Sequence, residues 1–151
     1  VQTTDNGYAL VGSTGSLGAG IYDFWLIRTD ESGNERWNRT YGGIGYDEAW
    51  SVLQAFDGGF ALAGWTESSG NGASDCWLLK TDTSGNVQST VTWGGSNYDY
   101  AYSIIQLMGG DYAVAGETSS SGAGFYDSLL IVWSKQRGSY GGGGGKPTVV
   151  R

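Results

Sequence analysis

The sequence predicts an all-β protein made of about three propeller-type blades, and three observations lead to this. One 52-residue unit recurs along the chain, each copy holds four short apolar runs separated by tight turns, and no stretch shows the 3.6-residue period of a helix. Three units in 151 residues also suit a β-trefoil or a β-prism. These closed three-fold folds stay open as the alternative.

The copies of the repeat align without gaps. "DNGYALVGST" at 5–14, "DGGFALAGWT" at 57–66 and "GGDYAVAGET" at 109–118 stand in register. Copies therefore start at residues 5, 57 and 109, and part of an opening strand precedes the first copy. We assign residues 1–133 to a repeat domain with an incomplete last copy, and residues 134–151 to an atypical glycine-rich tail.

One unit, read from Ala49, shows the four strands in order. "AWSVLQAF" at 49–56 is apolar and β-branched at its centre, "DGG" turns the chain, and "FALAGWT" continues as the second strand. "SDCWLLKTD" at 74–82 is the third strand, and Gly85 in the next turn is placed for a positive φ. "VQSTVTW" at 87–93 is polar and alternating, which indicates an exposed edge. Applied to every copy, this pattern predicts strands near 7–14, 22–30, 35–41, 49–56, 59–66, 74–82, 87–93, 98–107, 111–118 and 125–133.

The tail departs from the repeat. Its last residues, "TVVR" at 148–151, resemble the first half of a blade's opening strand, and "VQTT" at the start of the chain resembles the second half. One interpretation has this segment complete that strand, in the same chain or in a partner. The other treats the tail as a mobile extension without a structural role.

Composition excludes several classes of protein. The chain is 39% hydrophobic, which is too apolar for a disordered protein, and 28 glycines with one proline indicate many tight turns. Fifteen acidic residues oppose eight basic ones, and a net charge of −7 repels phosphate, so we expect no nucleic-acid partner. No apolar run approaches the length of a membrane helix, so we expect no membrane insertion.

The sequence shows no arrangement of residues that is typical of a catalytic site. The chain has no histidine, and no serine lies in a G-x-S-x-G turn, so no nucleophile–base pair can be recognised in the sequence. We therefore predict that the protein is not an enzyme and has no cofactor. The single cysteine, Cys76, lies in the apolar run "DCWLLK" and is expected to pack as a small buried hydrophobe.

Aspartates recur once per copy at two places. Asp23, Asp75 and Asp127 each enter the third strand, and Asp47 and Asp99 each follow a tyrosine after the Gly-Gly turn. One interpretation makes them Ca²⁺ ligands or acceptors for sugar hydroxyls. The other, which we favour for Asp23, Asp75 and Asp127 as structural repeat positions, has each carboxylate accept backbone N–H bonds and fix a turn.

Aromatic residues beside acids suggest where a ligand would bind. Trp65 is unique to one copy, since its counterparts are Ser13 and Glu117, and a residue not required by the repeat is free to face a partner. Aromatic faces stack on sugar rings while carboxylates bind their hydroxyls. Core packing is the competing interpretation of the same rings. The candidate ligand-binding residues are Trp65, Glu67, Tyr46, Asp47, Tyr98 and Asp99.

These motifs carry a family resemblance. The patterns D-G-G-[YF]-A-L-A-G-x-T, "DFWLIRTDESGN" and "DCWLLKTDTSGN", followed by Tyr-Gly-Gly or Trp-Gly-Gly, resemble the tandem repeats of large secreted or surface-anchored archaeal and bacterial proteins. The resemblance implies a β-propeller-like fold and a location outside the cell or on its surface. The third copy departs from it, since Leu129 replaces tryptophan and no D-x-S-G-N turn follows.

Two functions are compatible with this reading. The first is a non-catalytic, secreted or cell-surface repeat scaffold for adhesion or self-assembly. The alternative is a carbohydrate-binding, lectin-like propeller, whose partners would be glycans. A glycan array distinguishes them, because only the lectin binds one sugar class saturably and loses it on Trp65→Ala.

Counting blades predicts an oligomer. A propeller usually closes with four to eight blades, so three blades would leave an apolar face open at each end. We therefore expect the chain to associate with itself, as a dimer of half-propellers or as a head-to-tail filament.

Overall fold

The computed structural model describes residues 1–122, 124–134 and 148–150, and it contains all ten predicted strands in the predicted order. No helix occurs among these residues, and so none that could cross a membrane. The prediction of an all-β chain is confirmed. The strands are β1 (Ala9–Thr14), β2 (Asp23–Thr29), β3 (Glu35–Tyr41), β4 (Asp47–Gln54), β5 (Phe60–Thr66), β6 (Asp75–Thr81), β7 (Val87–Trp93), β8 (Asp99–Gln106), β9 (Tyr112–Thr118), β10 (Asp127–Trp133) and β11 (Thr148–Val150).

The strands form three antiparallel sheets, each in simple sequence order. Sheet 1 is β1-β2-β3, sheet 2 is β4-β5-β6-β7, and sheet 3 is β8-β9-β10-β11. None of them closes into a barrel. Before β1, Gln2 bridges to Tyr8 and the Ala9 N–H donates to the Val1 carbonyl over 2.9 Å, so the first residues lie where the opening strands β4 and β8 end in the other two sheets.

The last strand of each complete sheet reflects the repeat. In sheet 2 the fourth strand, β7, is exposed along most of its length, as its alternating polar sequence predicts. In sheet 3 the corresponding place is taken by β11, which pairs antiparallel with β10. Residues 148–150 thus lie at the outer edge of sheet 3 and do not form an opening strand; the glycine-rich stretch 135–147 of the tail lies outside the described residues.

The turn between the third and fourth strands is held by its own aspartate. The Asp82 carboxylate accepts N–H bonds from Ser84 at 2.8 Å and Asn86 at 2.9 Å. Gly85 follows with a φ of +82°, which only glycine adopts without strain. Asp30 makes the same bonds in sheet 1. The recurring D-x-S-G-N motif is therefore a hairpin turn.

The sheets pack face to face in chain order. β4 packs on β1 and β2 of sheet 1, and β8 packs on β5 and β6 of sheet 2. Two apolar cores result, one on each side of sheet 2. The first contains Phe24, Leu26, Phe60, Leu62 and Leu79, and the second contains Ala61, Ala63, Cys76, Leu78, Val114, Leu129 and Ile131.

A glycine makes the first interface close. The Phe24 ring of sheet 1 reaches Gly64 in β5, where an added Cβ would lie 2.8 Å from the ring and 1.9 Å from the Glu48 carbonyl oxygen. Small residues in β5 thus let the next sheet approach, as the run "FALAG" suggests.

Cys76 lies in the second core and is fully buried. Burial raises the pKa of its thiol, and the nearby Asp99 and Asp75 carboxylates add to the rise. The thiolate is therefore disfavoured, and the prediction that Cys76 packs as a hydrophobe is confirmed.

Candidate ligand-binding surface

Six aromatic rings from sheets 2 and 3 form one cluster, which we call the aromatic cluster. Tyr100 lies at its centre. The members are Trp50, Trp65, Tyr98, Tyr100, Tyr102 and Tyr126. Trp50, Tyr98, Tyr102 and Tyr126 are exposed, while Trp65 and Tyr100 are half-buried. The cluster is thus a surface feature that spans two sheets.

The rings are stacked in a regular way. Trp50 and Tyr102 lie almost parallel, with centroids 4.8 Å apart and planes 8° apart. Tyr100 stacks on Trp50 at 6.0 Å, on Tyr98 at 6.2 Å and on Tyr126 at 6.5 Å. Trp65 meets Tyr100 edge to face at 5.7 Å. These separations are those at which aromatic pairs attract, so the cluster is held in place by its own contacts.

Trp50 and Tyr102 both lie at β-bulges. The pairing of β4 with β5 shifts between Ala49 and Ser51, which leaves Trp50 as the extra residue. The pairing of β8 with β9 shifts in the same way around Tyr102. An extra residue shifts the alternation of the side chains beyond it, and here the two bulged residues meet across the sheets.

Carboxylates border the rings. The Trp50 indole Nε1 donates to Glu48 Oε2 over 3.2 Å, and the Tyr102 hydroxyl donates to Glu117. Burial raises the pKa of Tyr102, and the Glu117 carboxylate raises it further. Tyr102 therefore keeps its proton over the physiological range and remains a hydrogen-bond donor.

The structure brings three of the sequence-predicted residues to this surface. Trp65 and Tyr98 are members of the cluster. Glu67 is exposed and accepts a bond from the Ser74 hydroxyl at 3.5 Å, and Ser74 pairs with Tyr98 through a parallel bridge. The Tyr46 ring is outside the cluster: it is exposed and stacks on Tyr22 at 5.7 Å, although the Tyr46 carbonyl accepts the Glu67 N–H at 2.8 Å.

The two predicted aspartates point inward. Asp47 and Asp99 are both completely buried. Asp99 Oδ2 accepts the Gly95 N–H at 2.9 Å and the Ser120 hydroxyl at 2.6 Å, and Asp47 makes the equivalent bonds. Each carboxylate connects the Gly-Gly turn that precedes a sheet to the loop after the second strand of that sheet. Neither carboxylate is exposed, so neither can receive a sugar hydroxyl.

The aspartates that begin the third strands also hold turns. Asp23 Oδ2 accepts the Gly20 N–H at 3.0 Å, and Asp75 Oδ2 accepts the Asn71 N–H at 2.8 Å. Burial, with the Asp99 charge adding, raises the pKa of Asp75 to about 6. Asp127 is half-buried, and its Oδ2 lies beside Gly122.

No group of three metal-ligating side chains comes together within residues 1–122 and 124–134. The aspartates meet only in pairs. An added Cβ on Gly94 would lie 1.9 Å from Asp75 Oδ1 and 2.7 Å from Asp99 Oδ2. Ca²⁺ takes six to eight oxygen ligands, and a pair of carboxylates engaged with turn amides is a poor start for such a shell.

Sequence reasoning missed the centre of the site. Tyr100, Trp50, Tyr102 and Tyr126 were not among the predicted ligand residues. The segment "YDYAY" at 98–102 contained a signal, since alternate residues of a strand share one face. The bulges that bring Trp50 to Tyr102 leave no mark in the sequence.

Comparison of the chain with known protein families finds no match, and comparison with curated proteins finds none either. The geometry of the aromatic cluster is therefore the main indication of function.

Proposed function

We propose that the chain is a non-catalytic binding scaffold of a secreted or cell-surface protein, and that the aromatic cluster is its carbohydrate-binding surface. One observation carries the proposal: exposed, mutually stacked rings lie beside carboxylates on a rigid pair of sheets. The proposal joins the scaffold and lectin interpretations of the sequence, because an adhesion scaffold needs a surface with which to adhere.

The scaffold we propose is part of a β-propeller. Each sheet is a meander in sequence order, every strand ladder among the described residues joins strands that are consecutive in the chain, and successive sheets stack face to face. Propeller blades have these properties. A trefoil would instead close strands of all three repeats into a barrel, so three separate open sheets favour the propeller. The repeat motifs, which resemble those of surface-anchored proteins, support the extracellular location.

The chemistry of the cluster suits a sugar. Ring faces provide an apolar platform for the C–H side of a pyranose, and such sites combine aromatic walls with a few polar groups that fix orientation. Glu48 and Glu117 would accept hydroxyl protons, and the phenol of Tyr98 would donate or accept. The rings are already ordered by stacking, so binding costs little side-chain entropy.

Site-directed variants test the surface. Trp50→Ala and Tyr102→Ala should each weaken binding to the sugar class found on a glycan array by roughly tenfold or more, because each removes one stacking face. Tyr46→Ala is the matched control, since Tyr46 is also an exposed, stacked tyrosine but lies outside the cluster. Binding by isothermal titration calorimetry should be unchanged in this control.

A charge-neutral variant identifies the ligand class. Glu117→Gln keeps a hydrogen-bond acceptor but removes the charge, so it should reduce sugar binding only slightly. A cationic ligand held by ring faces and carboxylates would lose most of its affinity in the same variant. Silence across the array, or equal losses in Tyr46→Ala and Trp50→Ala, would contradict the proposed surface.

A further inference from the structure

Sheet 1 leaves exposed a face that sheet 2 buries at the equivalent positions. In sheet 2, Phe60 is 1% and Leu62 0% exposed, because both pack on sheet 1. Their counterparts one repeat earlier, Tyr8 and Leu10, are 42% and 48% exposed. We call this side of sheet 1 the leading face; it carries Tyr8, Leu10, Trp25 and Ile27.

Sheet 3 leaves the opposite face exposed. In sheet 2, Leu78 is fully buried against sheet 3, whereas its counterpart Leu130 is 39% exposed. Ala63 is buried and its counterpart Ala115 is exposed. Ile105 is 57% exposed on the same side. We call this side the trailing face; it carries Ile105, Ala113, Ala115 and Leu130.

The two faces match each other as the internal interfaces do. At the junction of sheets 1 and 2, Phe60 and Leu62 of the following sheet pack on Phe24 and Leu26 of the preceding one. Tyr8 and Leu10 repeat the former pair, and Leu130 repeats the position of Leu26. The eight residues named for the two faces are uncharged, and a mainly apolar groove of about 480 Å³ lies at Tyr8, Leu10 and Ile27, with Glu35 at its border.

A repeated hydrogen bond gives the contact its register. The Gln54 Oε1 accepts the Thr4 N–H of the preceding sheet at 2.8 Å, and Gln106 Oε1 accepts the Phe56 N–H at 2.8 Å. Gln2 stands in the same series and makes the same turn bond through its Nε2, to Asn6. The amide that continues the series belongs to Met108, which is fully exposed.

We propose that the leading face binds the trailing face of a second copy of this chain, head to tail, with Gln2 of one copy accepting the Met108 N–H of the other. The contact reproduces the junctions between sheets 1 and 2 and between sheets 2 and 3. Two copies related by a two-fold axis satisfy both faces of each chain, whereas a rotation that does not close produces a filament. This inference is independent of the carbohydrate proposal.

Two single variants test the contact between the leading and trailing faces. Leu10→Arg disables the leading face and Leu130→Arg the trailing face, because each introduces a charge into an apolar contact. Sedimentation velocity over a micromolar concentration series should show the wild type associating and each variant monomeric, with affinity reduced by roughly a hundredfold or more. Ile44→Arg, at a site 86% exposed and outside both faces, is the matched control and should associate like the wild type.

The mixture of the two variants tests polarity. It holds one intact leading face, from Leu130→Arg, and one intact trailing face, from Leu10→Arg, so equimolar mixing should restore a two-chain complex. A contact between two leading faces would instead leave Leu130→Arg fully associated. Circular dichroism of each variant establishes that the monomers are folded.

Register and charge give two further readouts. Gln2→Ala should weaken association by roughly three- to tenfold, the value of one hydrogen bond. Added salt should strengthen association, since copies with a net charge of −7 repel one another. A wild type that stays monomeric at high micromolar concentration and high salt, or a mixture that stays monomeric, would overturn the proposal.

Discussion

Asp75 is a buried carboxylate that faces a second one, and its ionisation acts against folding. It is 3% exposed, and its pKa is raised to about 6, first by burial and then by the charge of Asp99. Since the pKa is higher in the folded chain than the ordinary aspartate value of 3.8, the folded state binds the proton more tightly. Asp75 therefore favours folding at low pH, and this contribution is lost as the pH rises through about 6.

Replacing this carboxylate should stabilise the protein near neutrality. Asp75→Asn keeps an acceptor for the Asn71 N–H and removes the charge, so we expect the free energy of unfolding at pH 7.5 to rise by on the order of 2 kcal/mol. The gain should shrink between pH 6 and pH 4. Chemical denaturation at several pH values measures it. A gain independent of pH would show that charge is not its cause.

Asp82→Asn is the control of opposite sign. Bonds from Asn86 and Ser84 lower the pKa of Asp82, so its charge stabilises the hairpin turn above the unfolded pKa and the benefit is lost as the pH falls through the lowered value. This variant should be less stable than the wild type at neutral pH. The difference should close in acid.

At the scale of the strand, the repeat made the sequence informative. Each strand was seen in two or three versions, and the bounds of β1 through β10 fall within two residues of those predicted. The ligand surface was harder to predict from the sequence, because it depends on where sheets 2 and 3 meet. Trp50 and Tyr102 occupy equivalent positions of the repeat, which gives no reason to expect a contact between them, yet both are bulge residues and their rings stack across the sheets.

Strands at equivalent positions of the repeat also differ in how much of their surface is buried. Leu62 in β5 and Leu10 in β1 are the same position of the repeat, but only Leu62 is covered by a neighbouring sheet. Leu62→Ala should lower the free energy of unfolding by about 2–5 kcal/mol, because it removes buried methyl groups and leaves a cavity. Leu10→Ala should cost less than about 1 kcal/mol in dilute solution. Urea denaturation compares the two, and equal losses would mean that β1 is covered as β5 is.

At the scale of the molecule, stability should be graded along the stack of sheets. Sheet 2 packs on a neighbour on both sides, whereas sheets 1 and 3 each pack on one within the described residues. In a stacked array each unit is stabilised by its own pairing and by its junctions with neighbours. The middle sheet therefore has one junction more than either end.

Hydrogen exchange should report this gradient amide by amide. In β5 the inner edge is covered by β4, and Ala63 pairs with Ser51 there. In β1 the corresponding edge is met only near Ala9, by Val1 and Gln2, so the inward amides of Val11 and Ser13 have no ladder partner within the described residues. Mass spectrometry of a dilute sample should find β5 and β6 exchanging slowest, and the Val11–Ser13 stretch exchanging orders of magnitude faster than the equivalent stretch in β5. Equal protection in the two stretches would mean that another strand covers the edge of sheet 1.

The same experiment at high protein concentration reports association through the leading face. That contact covers the face of sheet 1 and leaves its inner edge open. Protection should therefore rise in β2 but not at the amides of Val11 and Ser13.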